Sequence, residues 1–381
     1  MQLRRALQNL ANAAPALRDA VVKPNLAVLR SLLGPAFRGL VEQRGKASPT
    51  TRMPLGYEAH FDWTYQRAFP EMRRLYDAAK TSQWNAATDL DWSIDVDPHD
   101  PERALLPDSF LPVSDIPSWH RLSTREKNEQ RHALLAWMLS QFLHGEQGAL
   151  FAASQVTEAV PWLDGKLFGS TQVVDEGRHV EVFHQYLDGK LGKLYQINDN
   201  LYVIVDALMT DARWDVKFLG MQIMIEGLAL GAFGTIRKVT REPLLRELLK
   251  YVITDEARHV HYGVLALRKH YVEDHGYSPE VEDWAFETSV LMRNRFLAHE
   301  FYDEYYAHQM SRRAWDQLVA GSKLMATFRS TMFQRIIPNL RRIGLLTDRI
   351  RPHYAQVGLL EHEHGKAAPE VTTAELIGEA P

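Results

Sequence analysis

A five-residue signature occurs twice in this chain, and a single glutamate precedes each copy at the same distance. The copies are Asp175-Glu176-Gly177-Arg178-His179 and Asp255-Glu256-Ala257-Arg258-His259, which lie 80 residues apart; Glu146 and Glu226 each stand 30 residues before the glutamate of one copy. Residues i and i+3 share a helix face, so each Glu-x-x-His can offer one oxygen and one nitrogen to a metal ion. One Glu from each of two helices with a Glu-x-x-His from each of two others is the ligand set of a two-metal four-helix bundle. The repeat therefore predicts an all-α chain with a di-metal centre whose six ligands are Glu146, Glu176, His179, Glu226, Glu256 and His259.

The surroundings of the two upstream glutamates favour a buried site. Glu226 lies inside the run Met224-Ile225-Glu226-Gly227-Leu228-Ala229-Leu230, and Glu146 lies between the apolar stretches 136–139 and 149–151. A carboxylate in such a run must be neutral, paired or bound to metal, because burying an uncompensated charge is costly. Neutralisation by buried arginines of the two signatures is the alternative, but it does not explain the repeated histidines.

The aspartates of the two signatures are expected to support the ligands. In the paired geometry, Asp175 and Asp255 would each accept the ring N–H of the histidine in the opposite half and so fix its tautomer. Arg178 and Arg258 would then balance the charge of these aspartates. Exposed salt bridges between residues three apart are the alternative interpretation.

Composition narrows the choice of metal and partners. The chain has 381 residues and no cysteine, which excludes thiolate-bound zinc and iron–sulfur ligation and leaves oxygen and nitrogen ligands that suit iron or manganese. A net charge of −4 gives no reason to expect nucleic-acid binding. We expect no transmembrane segment, because no apolar run is judged long enough to span a bilayer. We also expect no secretory signal, and this expectation favours the cytoplasm.

Helix and loop signals divide the chain into five segments. These are a basic helical arm and linker (1–55), a helical and loop segment (56–122), the bundle core (123–275), C-terminal helices packed on the bundle (276–350) and a tail (351–381) whose last fifteen or so residues look disordered. Residues 57–81 look helical with a break near Pro70, and 89–117 form an irregular loop. The core helices are predicted at about 123–156, 167–187, 214–240 and 243–274, and two more helices near 280–310 and 312–343. Ser123 and Glu126 form a capping-box pattern that opens the first core helix.

The N-terminal arm is basic. Residues 1–46 carry eight Lys and Arg against only Asp19 and Glu42. We expect a solvated helix packed on the domain; contact with an acidic partner or a membrane surface is the alternative.

At the repeated motifs the chain resembles the ferritin-like di-iron carboxylate superfamily, over about 135 residues of the core. The Asp-Glu-x-Arg-His form is most similar to its oxygen-activating branch, which includes multicomponent monooxygenases, acyl-carrier-protein desaturases, ribonucleotide reductase small subunits and para-aminobenzoate N-oxygenase-like enzymes. The segment Ala79-Lys80-Thr81-Ser82-Gln83-Trp84 with the following Asp89-Leu90-Asp91-Trp92 is similar to one that precedes the bundle in some of these oxygenases. The resemblance implies a ferritin-like four-helix bundle with additional flanking helices and two iron ions, or a manganese/iron pair.

Departures from these families narrow the resemblance. Ribonucleotide reductase small subunits usually place a radical tyrosine four residues after the first histidine, where this chain has Phe183. The threonine that monooxygenases or desaturases place after the third glutamate is replaced by Leu230 or Ala229. The third histidine of the N-oxygenases corresponds to Val252.

The ligand set and the resemblance together predict an O2-dependent non-haem di-iron oxidase or oxygenase. O2 would be the co-substrate, the substrate would be a small or lipophilic organic molecule, and a separate reductase or ferredoxin would supply electrons. A homodimer is considered as the assembly. The substrate pocket is expected to be formed by Leu150, Phe183, Gly227, Leu230 and Phe233. Close helix packing is the equal alternative for the small residues that follow Glu226.

Three other functions remain open at this point. The main one is a ferroxidase or metal-binding ferritin-like protein, and the second is a Mn/Fe ligand-binding oxidase or radical-generating subunit. A helical scaffold without metal is the most distant, since it leaves the repeated carboxylates unexplained.

Overall fold

Helices account for all the regular secondary structure in the part of the chain that the structure, a computed structural model, describes: residues 26–100 and 102–378. The helices that precede the bundle are α1 (Leu26–Ala36), α2 (Arg44–Ala47), α3 (Pro70–Thr81) and α4 (Pro117–His120). The central helices are α5 (Thr124–Ala159), α6 (Leu163–Tyr186), α7 (Asp199–Thr210), α8 (Trp214–Val239) and α9 (Pro243–Arg268). The helices that follow are α10 (Pro279–Arg295), α11 (His299–Tyr305), α12 (Arg312–Gly321), α13 (Lys323–Arg342), α14 (Arg351–Gln356) and α15 (Thr373–Ile377). The all-α fold predicted from the sequence is therefore confirmed, and it is consistent with a ferritin-like helical bundle.

Two helical hairpins, α5–α6 and α8–α9, form the four-helix bundle. The capping box predicted at the start of α5 is present: the Ser123 hydroxyl accepts from the Glu126 N–H, and the Glu126 carboxylate accepts from the Ser123 N–H at 2.7 Å. The start of α9 is fixed by Pro243 in its first turn and by Glu242, whose carboxylate accepts from two backbone N–H groups. Both helix starts follow from local sequence signals.

Helix α8 contains a π-helical turn, Leu219–Ile225, directly before Glu226. Such turns are rare, and they occur often at functional sites. The α-helix resumes at Glu226 itself, so the change of helical register ends at a candidate ligand.

One helix in the described ranges, α8, is long and apolar enough to cross a membrane. This corrects the expectation that no apolar run reaches that length. The apolar window of α8 is 94% buried inside the protein, so packing within the bundle accounts for its hydrophobicity.

The segment 57–69 is not helical, contrary to the sequence prediction. Pro70 lies in the first turn of α3, where its missing N–H costs no helical hydrogen bond. The preceding residues are instead fastened to the α5–α6 hairpin, because His60 N donates to Glu158 O at 2.8 Å and Phe69 N donates to Asp164 Oδ2 at 2.9 Å.

Helix α7 lies within the connection that the sequence analysis treats as a segment rich in Asp and Asn. Asn198 caps this helix by accepting from Asn200 N at 3.0 Å, and all of the residues from 201 to 209 are buried. The two C-terminal helices predicted near 280–310 and 312–343 are each divided into two helices in the structure. Ala298, with a φ of 48°, separates α10 from α11, and Ser322 caps α13 after α12 has ended.

The expected disorder of the last fifteen or so residues does not extend through the described part of the tail. Thr372 and Glu375 form a capping box at the start of α15, and Leu376 and Ile377 are both buried against the bundle. The burial of these two apolar side chains stabilises the ordered conformation of this part of the tail.

The five-segment division stays a prediction, and residues 1–25 of the basic arm lie outside the described residues.

Close packing of α8 on α13 depends on Gly231. A Cβ at this position would lie 2.9 Å from the backbone carbonyl of Thr331. We expect Gly231→Ala to lower the free energy of unfolding by about 1–3 kcal/mol, because the clash is with backbone that cannot turn away. Gly177→Ala is the control: nothing lies within 4 Å of its added Cβ, and the second signature has Ala257 there. Alanine is the better helix former by about 0.5–1 kcal/mol, so this variant should be slightly stabilised. Urea unfolding of both variants measures the difference, and a Gly231→Ala variant as stable as the parent would contradict the close approach.

Candidate metal centre

All six predicted ligands meet inside the four-helix bundle. They are at most 5% exposed and come from α5 (Glu146), α6 (Glu176 and His179), α8 (Glu226) and α9 (Glu256 and His259). A Glu-x-x-His on each of two facing helices directs both of its side chains to the bundle axis. The spacing in the sequence therefore brings the six groups together.

The six side chains form two overlapping clusters that could each hold a metal ion. One consists of Glu146, Glu176, His179 and Glu256; the other consists of Glu176, Glu226, Glu256 and His259. Within each cluster the possible ligand atoms lie within 4.8 Å of one another. Glu176 and Glu256 belong to both clusters, so they are the two carboxylates that could bridge a pair of ions.

Buried oxygens without hydrogen bonds test whether metal ions fit this site. Glu226 Oε2, Glu176 Oε2 and both oxygens of Glu256 are buried and have no hydrogen-bond partner within the described chain. Buried polar atoms nearly always have a partner, and each carboxylate oxygen without one is costly. Two cations held by oxygen and nitrogen ligands would satisfy these atoms, so the residues fit the group that the ligand pattern implies.

The electrostatics of the site also indicate a place for positive charge. Burial raises the pKa of Glu226 well above its usual range, and the carboxylates of Glu256 and Glu176 raise it further. Burial alone would lower the pKa of His179, but its close contacts with the carboxylates of Asp255 and of the surrounding glutamates raise it well above its usual range. The charge of four converging carboxylates therefore has to be compensated by cations, and in the protein without bound metal protons would compensate it.

Each histidine is held by the aspartate of the opposite half. His179 Nε2 lies 3.2 Å from Asp255 Oδ2, and His259 Nε2 lies 3.3 Å from Asp175 Oδ2. These contacts leave Nδ1 of both rings facing the glutamates: His179 Nδ1 is 3.1 Å from Glu256 Oε1 and His259 Nδ1 is 3.1 Å from Glu176 Oε1. The crossed pairing expected from the repeat is present.

The two aspartates and two arginines of the signatures form one buried ring of charge. Arg178 pairs with Asp175 and, at 3.1 Å, with Asp255; Arg258 pairs with Asp255 and, at 3.7 Å, with Asp175. Both aspartates are at most 1% exposed, so the alternative of exposed salt bridges is wrong. The two positive and two negative charges of the ring balance, and the ion pairs hold in place the two aspartates that face the histidines.

Gln83 and Trp84, just after α3, complete this ring, which the sequence analysis did not anticipate. Trp84 Nε1 donates to Asp255 Oδ2 at 2.8 Å, and Gln83 Nε2 donates to Asp175 Oδ1 at 3.1 Å. Arg178 donates back to Gln83 Oε1 and to the Trp84 carbonyl at 2.8 and 3.1 Å, and its guanidinium lies over the indole. Both residues belong to the segment 79–84, which is similar to one that precedes the bundle in some di-iron oxygenases. That similarity was the sequence signal that could have indicated their place beside the site.

Gln172, one turn before Glu176 on α6, is a second unanticipated residue of the site. Its side chain is fully buried, and Nε2 donates to Glu226 Oε1 at 2.8 Å and to Glu176 Oε1 at 3.1 Å. A glutamine four residues before a ligand on the same helix face was the signal for it.

A large apolar cavity adjoins the cluster on the side of α5 and α8. Three ligands, Glu146, Glu226 and Glu256, lie on its wall, and it contains about 1030 Å³ of empty space, including the part open to solvent. The remaining wall is almost entirely apolar and comes from several helices, with residues such as Phe142, Gly145, Leu228, Ala229, Met292 and Phe328.

None of the five residues predicted to form the substrate pocket lines this cavity. Phe183 and Phe233 are fully buried against each other, with ring centroids 5.6 Å apart. Gly227 faces Ile336 of α13, and Leu230 faces a separate small pocket. Gly227 and Gly231 thus serve close packing against α13, whereas Ala229 lines the cavity. Leu150, the fifth, is half-buried and also lies outside the cavity wall.

Comparison with known proteins gives a distant similarity. No protein-family model matches the chain. The ribonucleoside-diphosphate reductase small chain of Ostreid herpesvirus 1 (isolate France) is 25% identical over 173 residues, which cover 41% of this chain and 29% of the viral protein. The match therefore spans less than a third of that relative. Together with the helical fold and the buried carboxylate–imidazole cluster, it supports the ferritin-like di-iron superfamily and no finer assignment.

Proposed function

We propose that this protein is an O2-dependent non-haem di-iron oxidase or oxygenase that acts on a lipophilic organic molecule. The observation that carries the proposal is the position of Glu146, Glu226 and Glu256, which belong both to the metal-ligand cluster and to the wall of the apolar cavity. Two iron ions held by the six ligands would supply the reduction of O2 that oxidises a substrate. A separate protein would supply the electrons.

The cavity wall indicates the chemistry of the substrate. Gln141 lines the cavity, but its amide already holds the 196–198 segment: Nε2 donates to Gln196 O at 3.1 Å, and Oε1 accepts from Asn198 N at 2.7 Å. Trp137, also in the wall, donates its ring N–H to Glu300 at 2.9 Å. Apart from the ligand carboxylates, the wall has little to offer a polar or ionic group, so we infer a hydrocarbon-like substrate.

The chain's own residues would orient this substrate and exclude water. The apolar wall holds the molecule beside three ligand carboxylates, and a hydrophobic lining disfavours bulk water next to them. An apolar wall is also a poor route for hydrated iron, so it favours an organic substrate over a ferroxidase function.

Phe183 favours this function over that of a radical-generating subunit. It stands where ribonucleotide reductase small subunits usually carry a radical tyrosine, and it packs against Phe142 and Phe233 in the core. A phenyl ring has no hydroxyl to oxidise. The similarity to the viral small chain therefore supports the metal-binding framework of the proposal, and Phe183 gives no support to a radical-generating role.

The test is anaerobic reconstitution of the full chain with ferrous iron, followed by stopped-flow absorbance on mixing with O2. We expect about two irons per chain, an absorbance change on adding O2, and faster decay of that change with an apolar substrate. Two bound ions that do not react with O2 would contradict the oxidase proposal and favour a metal-binding or manganese protein. Failure to bind any metal would overturn the assignment altogether.

Filling the cavity should separate metal binding from substrate binding. Gly145 is buried and lines the cavity, and a Cβ added to it meets nothing within 4 Å. We expect Gly145→Leu to keep two irons per chain. Its affinity for a solvatochromic apolar probe, measured by fluorescence titration, should fall at least about 10-fold, because the leucine side chain would occupy part of the cavity. A loss of about 1.4 kcal/mol in the binding free energy of the probe already gives that factor. Gly189→Leu is the control, because Gly189 is exposed and also has open space. Equal probe binding by the two variants would contradict the assignment of the cavity.

A further inference from the structure

The carboxamide of Gln172 joins two candidate ligands from different helices. Its Nε2 has two hydrogens, and the two acceptors within reach are Glu226 Oε1 at 2.8 Å and Glu176 Oε1 at 3.1 Å. The other oxygen of each carboxylate, Oε2, has no hydrogen-bond partner within the described chain. The amide therefore engages one oxygen of each glutamate. Oε2 of Glu226 is left for a cation, and Oε2 of Glu176 faces the ring nitrogen Nδ1 of the candidate ligand His179 at 3.4 Å.

A second amide fixes the orientation of the first. Gln222, on the π-helical turn before Glu226, is fully buried, and its Nε2 lies 3.5 Å from Gln172 Oε1. Helix α9 makes room for Gln222 at Gly263, where an added Cβ would lie only 2.6 Å from the Gln222 Cβ. Since Gln172 Oε1 faces a donor, its Nε2 is the end that faces the carboxylates.

This arrangement breaks the symmetry of the repeat. The position four residues before Glu176 is Gln172, but the position four before Glu256 is Val252, which is fully buried in the hydrophobic core. Among the described residues no amide donates to Glu146, whose hydrogen bond at 3.3 Å is to the candidate ligand His179 itself. Within the described ranges, Glu226 is thus the one outer carboxylate with a hydrogen bond from a group that is not itself a candidate ligand.

We propose that Gln172 is a positioning residue that holds Glu226 and Glu176 by one oxygen each and so makes the two metal positions unequal. The position formed by Glu226 and His259 is pre-organised, and the position formed by Glu146 and His179 is the more adaptable. Glu226 also borders the apolar cavity, so the amide keeps this carboxylate from turning into the space for substrate. This inference rests on the proposed metal centre.

The test is anaerobic titration of the full chain with Co²⁺, whose visible d–d absorption reports both occupancy and coordination. Gln172→Met is the informative variant, because it keeps the length of the side chain and removes the amide. We expect the parent to bind two ions, and the variant to bind one of them about 10- to 100-fold more weakly, with a changed d–d spectrum, while the other ion keeps its affinity. Gln155→Met is the matched control: Gln155 is also buried on a bundle helix but contacts Met209 and none of the ligands. Both ions should bind to it as they bind to the parent.

The outcomes separate this inference from the proposed function. A parent chain that binds no Co²⁺ contradicts the metal centre itself. A parent that binds two ions, with a Gln172→Met variant that titrates identically or loses both ions equally, contradicts only the role of Gln172. If Gln172→Met does not fold, Gln222→Met gives the second test, since it leaves Gln172 in place but removes the amide that orients it. That variant should weaken the same single ion by a smaller factor, and unchanged binding would overturn the inference.

Discussion

Replacement of Glu176 or Glu256 by alanine is expected to abolish binding of both metal ions, whereas replacement of Glu146 or Glu226 should remove or weaken only one. The reason is that Glu176 and Glu256 belong to both clusters of possible ligands, and the other two glutamates belong to one cluster each. Metal analysis after anaerobic reconstitution with ferrous iron measures the difference. We expect near-zero occupancy for the first two variants and about one ion per chain for the other two, against about two for the parent.

Two controls make this result interpretable. Glu181→Ala removes an exposed glutamate from the same helix as Glu176 and should keep both ions. Near-ultraviolet circular dichroism of the metal-free proteins shows whether each variant keeps its packed core. An equal loss of metal in all four ligand variants would contradict the division into shared and outer carboxylates.

The candidate metal centre could be predicted from the sequence because the signals for it are local and repeated. The periodicity of the Glu-x-x-His motifs places both ligands of a helix on one face, and the capping box at Ser123 and Glu126 starts α5 as expected. The crossed pairing of aspartates and histidines follows from the same symmetry, since each half must complete the other.

The apolar cavity could not be located in the same way. Its wall combines the bundle with α10, α12 and α13, so residues such as Met292 and Phe328 join it only through tertiary packing. Small residues are equally suited to lining a cavity and to close helix contact. Gly231 lies against the backbone of α13, and Gly145 opens into the cavity, but the sequence around them does not distinguish the two situations.

The residues that support the ligands were only partly visible in the sequence. Asp175, Arg178 and their counterparts lie inside the repeat and were predicted. Trp84 and Gln172 lie outside it, because neither residue has a counterpart of its own kind 80 residues further along the chain. A repeat reveals what is symmetric in a site, and the features that make its two halves different must come from the three-dimensional structure.

Asp255 accepts more hydrogen bonds than any other residue discussed around the centre. Its carboxylate accepts from Trp84 Nε1 at 2.8 Å and from Arg178 at 3.1 Å, pairs with Arg258, and lies 3.2 Å from His179 Nε2. Burial would raise its pKa, but the hydrogen bond from His179 and the charges of His179 and Arg258 hold the pKa well below its usual range. The residue is therefore ionised throughout the range near neutral pH, and two arginines depend on that charge.

Replacing Asp255 by alanine should therefore damage both folding stability and metal retention. Removal of one partner from a buried ion-pair network costs about 3–5 kcal/mol, because Arg178 and Arg258 would be left buried with less compensation. Loss of the acceptor at His179 Nε2 should also weaken metal binding by about 10- to 100-fold. Urea unfolding of the metal-free variant and a competition titration with a chelator measure the two effects separately. Asp188→Ala, which removes an exposed aspartate just beyond α6, should change neither quantity. Asp255→Asn keeps the shape and removes the charge, so a stability loss close to that of Asp255→Ala would assign the effect to the charge of the ring, and a parent-like result for both variants would contradict the ring's role.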